Sequence, residues 1–311
     1  MNNPANRRAF LKTAALASAA ATLPVQLTFA KSKSLLIFTK SSGFEHEVVK
    51  RKDGKLSIVE TVVTDLGKKH GFQTETSKDG RIFDSPEFHS FQNVLFFTTG
   101  DLTQTGTDKN PPMSPAGKQT LLDTIRGGMG FTGVHAASDT FHTQPDSEDH
   151  ATRYVAYGEK ADPYLRMLGG EFITHGDSPR LQTTDLIIND AKFPGLEGVI
   201  PPVEMNEEWY SLKDFAPDLH VIMTIDTSKL KGECYQRRPY PGAWARMHGK
   251  GRVFFTAIGD RPENWQNEFF LNHLAGGIRW SLGDASADVR PNLQAVTPGY
   301  ADIPPQQPKK K

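Results

Sequence analysis

The sequence predicts an α/β protein built on a mainly parallel central β-sheet with helices on both faces. Two observations carry this prediction. Up to residue 134 of 311, strand-like and helix-like segments follow one another in the order β-α-β-β-α-β. The strand-like segments are continuous apolar runs rather than alternating ones, which is typical of parallel strands buried on both faces. Beyond them, a section rich in strand patterns predicts a β-rich C-terminal extension of the same domain.

Each element of the first part has its own local signal. KSLLIFTKSSGF (33–44) is a β-branched and aromatic run broken by Ser-Ser-Gly, which predicts a buried strand and its loop. A helical spacing of apolar residues ends at Gly71, and QTETS (73–77) suits a short edge strand. FQNVLFFTTGD (91–101) predicts the next strand. Ser114-Pro115 suits the start of the second helix, and GFTGVHA predicts the strand after it.

The second part is more irregular. Residues 141–162 are polar and predict an inserted surface loop, and YLRMLGGEFITHG predicts a short helix that ends at Gly169-Gly170. TTDLIIND, NEEWYSL and HVIMTID predict antiparallel or mixed strands, and GAWARMHGKGRVFFTAIGD predicts two strands joined by a tight turn. NEFFLNHLAGGIRWSLG predicts a closing helix with its apolar side chains largely on one face.

The two ends of the chain differ from the domain between them. Residues 6–12, NRRAFLK, are a twin-arginine pattern followed by an alanine-rich stretch and a small-x-small site that ends at Ala30. Residues 1–30 are therefore predicted to be a twin-arginine signal peptide, and the mature protein to be periplasmic or secreted without stable membrane insertion. A membrane anchor is the weaker alternative, because Pro24 and Gln26 interrupt the apolar stretch. Residues 31–285 form the predicted domain, and 286–311 a tail rich in proline and lysine.

Composition excludes several classes of function. Lysine and arginine total 36, as do aspartate and glutamate, so no basic surface for nucleic acid is indicated. The single cysteine, Cys234, excludes an internal disulfide and cysteine-based zinc sites, and no histidine pattern pairs with it. The oligomeric state is not encoded in any recognisable pattern.

Polar side chains follow four of the predicted strands at the point where each strand ends. Ligands of open parallel sheets gather beyond the carboxyl ends of the strands. Side chains in these positions therefore meet although they lie far apart in sequence. The four are His46, Asp101, His135 and Asp260.

The segment GVHAA (133–137) has the pattern of a nucleophile elbow, a sharp strand-to-helix turn with small residues on both sides of one exposed side chain. His135 occupies the central position, which indicates an acid, a base or a metal ligand rather than an acyl-enzyme nucleophile. The alternative is a histidine that only holds the turn. Asp139 either orients His135 or caps a helix. His142 and His150 are predicted to be solvated loop histidines, and His175 either faces the cleft or serves the structure.

The segment NEEWYSL (206–212) combines two carboxylates with two large aromatic residues, a composition common in sugar-binding sites. On one strand Glu207 and Glu208 would point to opposite faces, and Glu208 is the one predicted to enter the pocket. Trp209 would cover the ring of a sugar, or else belong to the core. Nitrogen and oxygen donors suited to zinc or manganese come from four residues: His46, His135, Glu208 and Asp260.

The order of these pieces resembles the ThuA-like (trehalose utilisation) family from about residue 33 to 283. The matching stretches are TKSSGFEH, GGMGFTGVHAASDT, LGGEFITHG, NEEWYSL, HGKGRVFFTAIGD and FFLNHLAGGIRW. The resemblance implies a flavodoxin-like three-layer α/β/α sandwich, similar to class I glutamine amidotransferases but without their nucleophile. It also implies sugar catabolism, including keto-sugars and keto-glycosides. The family's motif residues fall on His46, His135, Asp139 and Glu208, whereas Gly259-Asp260 replaces the usual Gly-His.

Together these features predict an exported protein that acts on carbohydrates, as an isomerase, lyase or hydrolase of keto-sugars or keto-glycosides. His135 would be the acid/base, helped by His46 and Asp139. The residues expected to bind substrate are Glu208, Trp209, Asp101, His175 and Asp260. Two alternatives stay open: a metal-dependent hydrolase in the same cleft, and a non-catalytic sugar-binding protein.

Overall fold

The computed structural model describes residues 32–144 and 150–306. The predicted signal peptide and the last five residues lie outside the described residues. Within the described ranges, no helix combines the length and the apolar character needed to cross a membrane. Eleven strands and five α-helices are found in this part of the chain, joined by short 3-10 helices.

The predicted β-α-β-β-α-β order of the first part is confirmed. It consists of β1 (Ser34–Phe38), α1 (Ile58–His70), β2 (Gln73–Ser77), β3 (Asn93–Phe96), α2 (Pro115–Gly127) and β4 (Gly130–Val134). Local chemistry sets the helix ends: Ser57 and Glu60 form a capping box at the start of α1, and Gly71 ends it with a φ of 83°. Ser114 caps α2 through the backbone N–H of Gly117.

The second part adds three α-helices and seven of the eleven strands found in the described residues. In chain order it contains α3 (Pro163–Leu168), β5 (Glu171–His175), β6 (Gln182–Ile188), β7 (Val203–Glu207), β8 (Tyr210–Lys213), β9 (His220–Ile225), β10 (Tyr240–His248), β11 (Gly251–Thr256), α4 (Glu268–Leu282) and α5 (Leu293–Val296). The predicted tight turn between β10 and β11 and the closing helix α4 are confirmed.

The large sheet has nine strands in the order β2-β1-β3-β4-β11-β10-β9-β6-β7. The strands from β2 to β11 pair in parallel, and the strands from β11 to β7 pair antiparallel, so the β-rich section extends the same sheet. The strand 73–77 lies at one edge, as predicted. This α/β architecture with its large central sheet confirms the predicted fold class.

Helices cover both faces of this sheet. On β4, the hydroxyl of Thr132 lies 3.0 Å from that of Ser281 in α4, whereas the adjacent Phe131 packs against Tyr164 of α3. Because alternate residues of a strand point to opposite faces, α4 and α3 lie on opposite sides of the sheet. The core between the layers is rich in aromatic residues, and all four tryptophans of the described chain are buried.

The segment NEEWYSL is two strands rather than one. Strand β7 ends at Glu207 in the large sheet, and β8 begins at Tyr210 and pairs with β5 in a separate two-stranded sheet. Glu208 and Trp209 therefore lie where the chain passes from one sheet to the other. Part of the predicted tail also packs on the domain, because Leu293 is buried and Arg238 pairs with Asp302 at 2.8 Å.

Candidate functional site

Four side chains converge at the carboxyl end of the parallel strands. His46 follows β1, His135 follows β4, Asp260 follows β11, and Glu208 enters from the passage between β7 and β8. Each offers one nitrogen or oxygen atom, and these atoms all lie within 4.8 Å of one another. They are the four residues that the sequence indicated as candidate metal ligands, and we call them the HHED cluster.

His135 occupies a turn that has the backbone strain of an elbow. Its φ is 44°, in the left-handed region that residues other than glycine seldom adopt. Its Nδ1 lies 2.9 Å from the carbonyl oxygen of Ala257, which can only accept, so Nδ1 carries the hydrogen. In the neutral ring this assignment leaves a lone pair on Nε2, which lies 3.7 Å from Glu208 Oε2.

Two atoms at the centre of the cluster lack partners. His135 Nε2 and Glu208 Oε2 are both buried, and neither has a hydrogen-bond partner among the described residues. Their separation of 3.7 Å is too long for a hydrogen bond between them. Buried polar atoms usually have a partner, and here two that lack one face each other within the cluster.

The second oxygen of Glu208 is held from the other side. Oε1 accepts a hydrogen bond from Nε of Arg180 and lies 3.7 Å from His175 Nε2. Burial raises the pKa of Glu208, but the neighbouring His135 and the cations around it lower it below its ordinary value. Glu208 is therefore a fully buried carboxylate that keeps its negative charge.

The pKa values of the two histidines in the cluster shift in opposite directions. Burial and, to a smaller extent, the nearby His135 lower the pKa of His46 to about 3, so the ring of His46 is neutral. Burial also disfavours a charge on His135, but the surrounding carboxylates, with Glu208 first, raise its pKa above the ordinary value. The two ring centroids are 5.4 Å apart. A neutral imidazole and a carboxylate, such as His46 and Glu208, are typical metal ligands.

The carboxylate of Glu207 fixes the backbone turn that carries Asp260. The carboxylate of the fully buried Glu207 accepts hydrogen bonds of 2.8 Å from the backbone N–H of Gly259 and from Nδ2 of Asn264. Gly259 has a φ of 145°, and a Cβ there would lie 2.9 Å from Val134. Asp260 Oδ1 then lies 3.9 Å from His46 Nε2, and burial raises the pKa of Asp260.

Asp139 and His142 form a second charged group beside the cluster. Asp139 Oδ1 lies 2.6 Å from Nε2 of His142, and Nδ1 of the same ring lies 3.4 Å from Glu171 Oε1. The structure thus pairs Asp139 with His142 rather than with His135. The prediction that His142 is solvated is wrong, because its side chain is only 10% exposed and lies between two carboxylates. His150 is exposed, as predicted.

Two predicted substrate-binding residues point elsewhere. Trp209 is fully buried, and its Nε1 donates to the carbonyl oxygen of Gln182, so it belongs to the core and cannot cover a sugar. Asp101 is exposed, and its Oδ1 accepts from the backbone N–H and the hydroxyl of Thr103 in a local turn. It is not part of the HHED cluster. His175, in contrast, does face the cluster.

Two residues of the site escaped the sequence reasoning. Tyr210 has its hydroxyl 3.1 Å from His46 Nε2 and its ring centroid 4.1 Å from that of His135. Arg180 binds Glu208 and lies over the ring of Phe44 at 5.5 Å. Tyr210 belongs to the segment NEEWYSL, but Arg180 lies in a loop without any sequence pattern that indicates its role.

Comparison with known proteins agrees with this description. A structure of a ThuA-like protein from Bacteroides uniformis is 16% identical, with a TM-score of 0.56, and the match covers 82% of this chain and 94% of that one. A second, from Parabacteroides merdae, is also 16% identical, with a TM-score of 0.53, and the match covers 83% and 92% of the two chains. At this identity the likeness concerns the fold alone. No curated protein matches.

The family model named ThuA, described as trehalose utilisation, matches residues 34–281. The match includes both strand ends that carry histidines, the passage with Glu208 and the turn with Asp260. The family's description indicates a role related to carbohydrates. The chain therefore belongs to the ThuA (trehalose utilisation) family.

Proposed function

We propose that this protein is an enzyme of carbohydrate metabolism that uses a divalent metal ion, zinc or manganese, held by the HHED cluster. One observation carries the proposal: His135 Nε2 and Glu208 Oε2 are buried, 3.7 Å apart, and without partners among the described residues. Each unsatisfied buried atom costs about 1–3 kcal/mol. A cation coordinated by both atoms would remove this cost.

The surroundings of the cluster support a metal more than a chance grouping. Metal-bound histidines usually donate their second N–H to an oxygen, and His135 does so to Ala257. The carboxylate of Glu208 is likewise oriented by Arg180. These two hydrogen bonds pre-orient His135 Nε2 and Glu208 Oε2 for coordination of an ion. Two imidazoles and two carboxylates suit zinc or manganese.

The proposed substrate is a keto-sugar or a keto-glycoside. A divalent metal would supply Lewis-acid polarisation of the sugar's carbonyl oxygen, which acidifies the adjacent C–H. In this proposal His135 would hold the metal through Nε2 and would not act as the acid/base, because its side chain is fully buried and Nε2 faces the cluster. This replaces the sequence-based hypothesis of His135 as the acid/base.

His175 is the proposed general base. Its Nδ1 donates to the carbonyl oxygen of Gly176 at 3.0 Å, so in the neutral ring Nε2 can take a proton. About a quarter of the side chain is exposed, and Nε2 is 3.7 Å from Glu208 Oε1, beside the cluster. Removal of the proton next to the carbonyl leads to isomerisation, or to loss of a glycosidic group from the neighbouring carbon.

The first test measures the metal. Metal-depleted protein is titrated calorimetrically with Zn²⁺ and Mn²⁺, and one equivalent is expected to bind. Asp260→Asn should weaken binding by roughly tenfold or more, because it removes a ligand charge. Asp101→Asn is the matched control, since Asp101 is an exposed acid after a strand of the same sheet. Equal affinities of the two variants would refute the metal site.

The second test measures the reaction. Sugars and their 3-keto forms are incubated with metal-loaded protein, and products are followed by NMR with and without a chelator. Turnover that stops with the chelator and with His175→Ala supports the proposal. His89→Ala is the control, because His89 is exposed. Turnover that survives metal removal would favour metal-free acid–base chemistry, and sugar binding without turnover would favour a binding protein.

We also propose that the protein is exported to the periplasm or beyond it. The support is the twin-arginine pattern at Arg7-Arg8 and the small-x-small site that ends at Ala30. N-terminal sequencing of protein from the periplasmic fraction should begin near residue 31. A precursor that stays in the cytoplasm with its N-terminus intact would refute export.

A further inference from the structure

A single exposed aromatic ring lies beside the HHED cluster. Phe44 is 58% exposed, and within residues 32–144 and 150–306 no other phenylalanine or tryptophan is exposed. Its ring centroid lies 5.0 Å from that of His46, with the two rings perpendicular. The ring of Phe44 therefore presents an apolar surface directly beside a polar cluster, which is the combination that a ligand with both an apolar face and hydroxyl groups can use.

The backbone that carries Phe44 is held in place. The carbonyl oxygen of Phe44 accepts a hydrogen bond of 2.8 Å from the hydroxyl of Thr99. The backbone N–H groups of Ser42 and Gly43 donate to the carbonyl oxygen of Thr99 at 2.9 and 3.1 Å. Thr107 adds a bond of 2.5 Å to the Gly43 carbonyl oxygen. These hydrogen bonds fix the backbone of residues 42–44, so the exposed position of the Phe44 ring is set by the fold.

Arg180 faces the same ring from the opposite loop. Its guanidinium carbon lies 5.5 Å from the centroid of Phe44, and Nε donates to Glu208. The side chain is 45% exposed, although the carboxylate that it binds is fully buried. Among the described residues no hydrogen bond involves its terminal nitrogens Nη1 and Nη2, so four N–H groups are available to a ligand.

The loop of Arg180 is closed at its base. The backbone N–H of Gly176 donates to the hydroxyl of Tyr235 at 2.9 Å, just after β5. The side-chain amide of Gln182, at the start of β6, forms bonds of 2.7 and 2.9 Å with the backbone of Lys231. Arg180 therefore projects from a short loop that is anchored at both ends.

We propose that Phe44 and Arg180 form the subsite that binds the sugar ring, and that its ligand is a pyranose. The apolar C–H face of a pyranose would stack on the phenyl ring, and the guanidinium would donate to ring hydroxyls. The carbonyl carbon of a keto-sugar held there would lie next to the cluster. This inference rests on the proposed function, and it assigns to Phe44 the stacking role that the sequence analysis gave to Trp209.

The test is sugar binding, measured apart from metal binding and turnover. Glucose, trehalose and their 3-keto forms are titrated into wild-type protein, Phe44→Ala, Phe44→Trp and Arg180→Gln, with calorimetry and saturation-transfer NMR as readouts. Phe44→Ala and Arg180→Gln should each weaken the binding of the sugars by about tenfold. Phe44→Trp retains a stacking surface and should stay within about threefold of the wild type. Ile200→Ala is the control, because Ile200 is 86% exposed.

Zinc titration of the same variants separates the two proposals. Phe44→Ala should bind zinc as the wild type does, because Phe44 offers no ligand atom. If Phe44→Ala binds the sugars as tightly as the wild type, the subsite is refuted and the metal-dependent function stands. If wild-type protein binds zinc but none of the four sugars, the carbohydrate part of the proposed function fails, and the subsite fails with it.

Discussion

Replacing His142 with glutamine tests the charged group beside the site. The imidazole lies between Asp139 at 2.6 Å and Glu171 at 3.4 Å, and Arg153 is also close. Burial lowers the pKa of His142 and Arg153 opposes its charge, but the two carboxylates outweigh both effects and raise it from 6.5 to about 9. The difference corresponds to at most about 3 kcal/mol of stabilisation. Screening by solvent is small, because the side chain is only 10% exposed.

The raised pKa of His142 predicts how the stability should depend on pH. Because the folded state raises the pKa, the stabilisation is complete below pH 6.5 and is lost as the pH rises through about 9. Urea unfolding of wild type and His142→Gln should differ most near pH 5.5, and by about 3 kcal/mol less near pH 10. His150→Gln, in the same insertion but exposed, should show no such trend. A difference between wild type and His142→Gln that does not change with pH would refute the reasoning.

Three other substitutions test separate parts of the fold and site. Gly259→Ala should weaken zinc binding in calorimetry. Alanine disfavours a φ of 145° and its Cβ would lie 2.9 Å from Val134, so the turn before Asp260 would shift. An unchanged zinc affinity would contradict this. Trp209→Phe should lower the free energy of unfolding by about 2 kcal/mol without changing sugar affinity, since its Nε1 bond is internal. Ser57→Ala should cost about 1 kcal/mol in urea unfolding by removing the cap of α1, and an unchanged midpoint would count against it.

The location of the site could be predicted because it depends on topology. Continuous apolar runs identify parallel strands, and the carboxyl ends of such strands meet at one edge of a sheet. His46, His135 and Asp260 follow three of these strands and do converge. Asp101 follows a fourth but stays outside the cluster, because its carboxylate is used in the local turn with Thr103. A strand end thus indicates a region, and local hydrogen bonds decide which side chain enters it.

The choice between neighbouring residues could not be made from the pattern. In NEEWYSL one continuous strand was predicted, but the chain leaves the large sheet after Glu207 and joins the small one at Tyr210. This passage buries Trp209, directs Glu208 into the cluster, and places the hydroxyl of Tyr210 beside His46. Alternation of side chains holds only within a strand, so it fails where the strand is interrupted.

By itself, the sequence determined the element order, the predominantly parallel first half of the sheet, and the residue types that suit a metal or an imidazole chemistry. These features depend on local conformational propensity and on the spacing of hydrophobic residues, both of which are present in the sequence itself. Only the tertiary structure decided that Glu208 and His135 face each other with unpaired atoms, that His142 is held between two carboxylates, and that Arg180 lies over the ring of Phe44. Each of these depends on contacts between loops distant in sequence, which packing alone brings together.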